Sequence, residues 1–181
     1  ACGSAYNTAV VGKIAFERLC RISVEVDIAS EFRYKEPIID EKTLVILISQ
    51  SGETADTIAA LREAKRCGAT TLAIVNVMGS AIAKEADHTI YTVAGPEIAV
   101  ATTKAFSAQI ALLYILSVQF AAKLKRISSE TQGQLLDEIR ALPDKVGKLL
   151  SEKDEVERYA ATCSGFSSMF FIGRNMDYAI A

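Results

Sequence analysis

The chain has 181 residues, half of them apolar and 23% charged, a composition that supports a packed core and excludes intrinsic disorder. Twenty Lys and Arg against 22 Asp and Glu leave a net charge of −2, so no basic surplus exists to neutralise a nucleic-acid backbone. Cys2, Cys20, Cys67 and Cys163 form no C-x-x-C pair and His88 is the single histidine, which points to neither a metal site nor a disulfide framework and suits a reducing, cytoplasmic setting.

The opening residues, Ala1 to Thr8, lack the basic start and apolar run of a secretory signal. Tyr6 to Arg21 then spaces Val10, Ile14, Phe16 and Leu19 as a helix does, and Val24, Val26 and Ile28 alternate with Glu25 and Asp27 as a half-exposed strand. Leu44 to Ile48 is a continuous apolar run expected of a strand covered on both faces, followed by a helix over Thr54 to Lys65 that closes at Gly68. Leu72 to Val75 repeats the buried-strand pattern. A turn at Gly79, a short helix over Ser80 to Glu85 and a strand over Thr89 to Val93 complete the alternation.

Strands alternating with helices through short turns predict an α/β fold, a doubly wound parallel sheet with helices on both faces. Thr103 to Leu124 is apolar nearly all round and reads as a buried or dimer-interface helix. Its longest apolar run, Ile110 to Val118, is shorter than a membrane span, so no membrane partner is expected. Gln134 to Leu150 is amphipathic and should bend or break at Pro143. A helix around Asp154 to Thr162 leads to Met169 to Ile172, which has the pattern of a buried strand opening another sheet. Three helices in succession place a boundary between residues 125 and 165.

In open parallel sheets ligands gather beyond the carboxyl ends of the strands, which singles out three polar turns. Ser49-Gln50-Ser51-Gly52-Glu53-Thr54 joins a buried strand to a helix start, where free N–H groups and the positive dipole end favour an anion. Three hydroxyls and an amide there can donate to phosphate oxygens, while the lack of G-x-x-x-x-G-K-[ST] argues against a nucleotide P-loop. Ordinary helix capping suits the same residues, and Glu53 opposes anion binding unless its carboxylate points away. Cys2-Gly3-Ser4-Ala5-Tyr6 opens the first helix, and Ala94 to Lys104 connects a strand to the long helix, with Val100 to Thr103 able to face a polyol. Lys104 suits a solvated or salt-bridged side chain better than a Schiff base, Cys2 has no histidine nearby to activate it, and His88 suits a surface hydrogen bond.

At these turns the sequence resembles the isomerase half of the glutamine:fructose-6-phosphate aminotransferase family, within the sugar isomerase (SIS) domain superfamily. The resemblance rests on Ala1 to Ser4, Ala29 to Tyr34, the run Ser49 to Thr57, Ala94 to Ile98 and Thr103 to Phe106, and extends through Ala141 to Pro143 and Phe171 to Arg174. It implies an αβα sandwich with strand order 2-1-3-4-5 whose first strand lies upstream. It also implies a first SIS domain over 1–125, a helical connection over 126–165 and the start of a second SIS domain over 166–181.

The family makes glucosamine 6-phosphate from fructose 6-phosphate and glutamine, the entry to UDP-N-acetylglucosamine synthesis. The resemblance implies that Ser49, Gln50, Ser51 and Thr54 hold the sugar phosphate while Ser4, the backbone at Ala5, Val100 and Thr102 touch the sugar. It calls for no metal and no cofactor, and for a glutaminase domain, a second SIS domain and a homodimer partner. The acid–base residues of the family belong to that second domain and tail, so this stretch is expected to be an internal fragment without catalytic residues. A sugar-phosphate-sensing SIS domain of a regulator and a stand-alone phosphosugar isomerase or deglycase remain alternatives.

Overall fold

A computed structural model describes residues 1–98 and 102–181. In chain order it contains α1 (Ser4–Cys20), α2 (Ala29–Phe32), β1 (Leu44–Ser49), α3 (Ala55–Arg66), β2 (Thr70–Val75), α4 (Ala81–Glu85), β3 (His88–Tyr91) and α5 (Thr103–Lys123). Four more helices follow: α6 (Ser129–Arg140), α7 (Leu142–Ser151), α8 (Lys153–Cys163) and α9 (Met176–Ile180). The strands form a parallel sheet in the order β1-β2-β3, with Ile48 opposite Ile74 and Val75 opposite Tyr91. Parallel pairing brings the carboxyl ends of the strands to one edge, where the polar turns lie.

Strand periodicity sorts the core residues onto the two faces. Ile48 and Ile74 pack with Ala5, Phe16 and Cys20 of α1 and with Leu113 and Ala121 of α5. Leu47, Ala73 and Val75 face the other way and pack with Ala29, Ala60, Leu61 and Ile82 from α2, α3 and α4. The expected αβα sandwich is the result. Close approach of α1 to α5 depends on Gly12, where a Cβ would sit 3.1 Å from Leu113 Cδ1, and Phe16 meets Phe120 edge to face at 5.6 Å between ring centres.

Counted whole, α5 is long and apolar enough to cross a membrane by length and composition, which its longest apolar run alone did not suggest. It buries Gln109, Leu113, Ser117 and Val118 and packs on α1, so it serves as a core helix of the sandwich. The chain breaks at Ala141, and Pro143 opens α7, where its missing N–H costs nothing.

Two expected strands are corrected. Val24 to Ile28 pairs with no strand among the described residues; at its end Ala29 N–H donates to the Ala1 carbonyl at 2.9 Å and the Ala1 ammonium to the Asp27 carbonyl at 3.4 Å. The segment is fastened to α1 instead, by Val24 N–H donating to Glu17 Oε1 at 3.2 Å. Met169 to Ile172 is not a buried strand either. Its side chains are exposed, Ile172 at 93%, and no ladder partner lies beside it among the described residues.

Candidate functional site

Beyond β1 the chain turns through residues 50–54 into α3. The turn is fixed to the neighbouring connection after β2: Asn76 N–H donates to the Gln50 carbonyl at 3.1 Å and Ile82 N–H to the Gly52 carbonyl at 3.0 Å. Ser49 Oγ accepts from Gly52 N–H at 3.0 Å, Ser51 Oγ accepts from Glu53 N–H at 3.2 Å, and Thr54 Oγ1 lies 3.5 Å from Ser49 Oγ. A hydroxyl that accepts a backbone bond keeps its own proton to donate. Thr54 stands immediately before α3, yet its side chain does not cap the helix. The first-turn N–H groups of α3 therefore keep their capacity for an anion, and the capping alternative does not describe this turn.

Both carboxylates beside the turn are engaged elsewhere. Glu53 Oε1 accepts from Ala81 N–H at 2.9 Å and so caps α4, and Asp56 pairs with Arg33 Nη1 at 3.2 Å. The Arg33 guanidinium also lies over the Tyr34 ring, 4.8 Å from its centre. Neither acid lines the adjoining cavity. Glu53 thus points away, as anion binding at this turn requires.

A cavity of about 190 Å³ opens against the turn. Ser49, Gln50, Ser51 and Thr54 form one wall, Cys2, Ser4 and Ala5 at the start of α1 another, and Thr102 at the start of α5 a third. Seven of the eight residues singled out from sequence therefore meet at one place. Val100, the eighth, lies outside the described residues. Thr57 and Gln109 also line the cavity, each 1% exposed. Sequence reasoning missed both: Thr57 only ended the Ser49 to Thr57 run, and Gln109 only flanked an apolar stretch.

The third turn is braced by side chains. Asn76 Nδ2 donates to the Gly95 carbonyl at 2.8 Å and its Oδ1 accepts from Ala94 N–H at 2.8 Å. Lys104 Nζ donates to the Pro96 carbonyl at 2.6 Å, a structural role, and Glu97 accepts from Ala105 N–H at 3.2 Å. Cys2 is a half-buried free thiol in the cavity wall, and His88 is an exposed residue at the start of β3, outside the cavity. Among the described residues the lining carries no Asp, Glu, Lys, Arg or His, and its polar groups are hydroxyls, amides and backbone.

Residues 1–119 match the SIS domain family. The chain belongs to the SIS domain family. Over all 181 residues it is 52% identical to a protein of Caldanaerobacter subterraneus and 53% identical to one of Clostridium tetani, both named glutamine–fructose-6-phosphate aminotransferase (isomerizing). It spans about 30% of the length of these curated relatives. The SIS fold also superposes on a solved C-terminal domain of glucosamine-fructose-6-phosphate aminotransferase from Francisella tularensis, with a TM-score of 0.95 and 32% identity, covering 99% of this chain and 51% of that one.

Proposed function

We propose that this SIS domain is the sugar-phosphate-binding part of the isomerase half of a glutamine:fructose-6-phosphate aminotransferase, in which fructose 6-phosphate and glutamine yield glucosamine 6-phosphate. One observation carries the reading: hydroxyl and amide side chains from three separate turns surround a single cavity while the adjacent carboxylates are held elsewhere. Ser49, Gln50, Ser51 and Thr54 hold the phosphate, and Ser4, the Ala5 backbone, Val100 and Thr102 touch the sugar. The phosphate does not react. Binding energy spent on it positions the reacting carbons.

Among the described residues no lining side chain is a histidine, a carboxylate or a lysine, and ring opening and proton transfer are assigned to the rest of the enzyme. That remainder comprises a glutaminase domain that supplies ammonia and a second SIS domain beginning near residue 166, after a first over 1–125 and a helical connection over 126–165. The whole acts as a cytoplasmic homodimer. Ser51→Ala in the full-length protein should lower kcat/KM for fructose 6-phosphate by about 10- to 100-fold, as expected for a lost hydrogen bond to a charged group. Unchanged steady-state kinetics would contradict the assignment. Formation of glucosamine 6-phosphate by the wild type excludes both the sensor and the stand-alone isomerase, and its absence would overturn the aminotransferase reading.

A further inference from the structure

Two buried side chains beneath the turn hold hydrogen-bonding capacity that the protein itself does not use. Gln109, in the second turn of α5, and Thr57, in the first turn of α3, are each 1% exposed, yet Gln109 Nε2 and Thr57 Oγ1 have no partner among the described residues. Both residues line the cavity. A buried amide or hydroxyl without a partner destabilises a fold, and an apolar side chain of the same size would serve the core better. Such groups are retained where a ligand supplies what the protein does not.

The Gln109 amide is also oriented. Its Oε1 lies 3.4 Å from Thr8 Oγ1, and Thr8 is itself anchored on α1 by a bond to the Ala5 carbonyl at 2.8 Å. The Oε1 end of the amide faces Thr8 without a strong bond, since the Thr8 proton goes to Ala5, and the NH₂ end is left without a partner among the described residues. Gln109 thus sits where α5 faces α1, in the wall of the cavity.

We propose that Gln109 Nε2 and Thr57 Oγ1 are inner donors to the bound phosphate monoester, completing from the floor the shell that Ser49, Ser51 and Thr54 begin at the wall. This rests on the sugar-phosphate reading above and extends it to a second tier of residues. A phosphate dianion accepts more hydrogen bonds than the three hydroxyls of the turn supply, and two neutral donors add to them without bringing a counter-charge into the core.

The test uses Gln109→Met and Thr57→Val in the full-length protein, two independent changes that remove a donor and keep most of the volume. Thermal unfolding is followed without ligand, with inorganic phosphate and with fructose 6-phosphate. The expected result is a ligand-free Tm equal to or above the wild type, together with about tenfold weaker affinity for both phosphate compounds and a correspondingly smaller ligand-induced rise in Tm. A lower ligand-free Tm with unchanged affinity would make the two groups structural and overturn the proposal. So would a loss confined to fructose 6-phosphate, which would set the floor against the sugar. Wild-type protein stabilised by inorganic phosphate alone, with the variants weaker for it, would support the inner donors and overturn the substrate. Stabilisation of the wild type by neither compound would overturn both.

Discussion

At Gly52 the backbone runs at φ +69°, and an added Cβ would lie 2.1 Å from Ser80 Oγ and 2.6 Å from Ser80 Cβ. The left-handed conformation and the close approach both exclude an ordinary side chain. Gly52→Ala should therefore destabilise the protein by about 2–4 kcal/mol, the sum of overpacking and an unfavourable φ, read as a lower urea midpoint at unchanged m. A midpoint equal to the wild type would show that the turn relaxes freely. The hydroxyls of this turn were legible in the sequence because residue types that bind anions follow a run that had to be a buried strand. The direction of Glu53 was not, since its partner, Ala81 N–H, is 28 residues away. Nor could sequence reveal Thr57 and Gln109, because a buried polar atom without a partner is defined only once α3 and α5 are packed.

Among the elements, the turn from α4 into β3 depends on Asp87. Its carboxylate accepts from Lys65 Nζ at 2.8 Å, from Thr71 Oγ1 at 2.7 Å and from Thr71 N–H at 2.9 Å, tying the turn to α3 and to the start of β2. The Lys65 bond first, then those from Thr71, hold the carboxyl well below the usual carboxylate range. A carboxyl with a lower pKa folded than unfolded stabilises the fold above its unfolded pKa, near 4, and loses that contribution as pH falls toward the folded value. Asp87→Asn should thus be less stable than the wild type in urea at pH 7, with the gap narrowing below about pH 4. A gap of constant size from pH 7 to pH 2.5 would contradict the linkage. Periodicity placed β1, β2, α3 and α5 because each buries the face its pattern marks. It failed at Val24 to Ile28 and Met169 to Ile172 because alternation and apolarity report a preference for extended or buried chain, whereas a strand also needs a neighbour with which to exchange hydrogen bonds.

Taken whole, the molecule carries apolar surface that its own sandwich leaves uncovered. Leu142, Val146, Leu149 and Leu150 recur along one stripe of α7 and are 39–68% exposed, and Phe170, Phe171 and Ile172 are more open still. Patches of this kind mark surfaces that meet further protein, which agrees with a chain spanning about 30% of its curated relatives. The 181 residues prepared alone should bind a hydrophobic dye and self-associate in size-exclusion chromatography, and the full-length protein should do so far less. A monodisperse, dye-silent monomer from the short chain would show that these faces need no cover.

The most direct test of the account is a crystal structure of the full-length protein with fructose 6-phosphate bound. Phosphoryl oxygens are expected within about 3 Å of the Ser49, Ser51 and Thr54 hydroxyls, over the start of α3. A bound sugar phosphate whose phosphoryl group lies away from that turn, with the Ser49 to Thr54 hydroxyls touching none of it, would contradict the central claim.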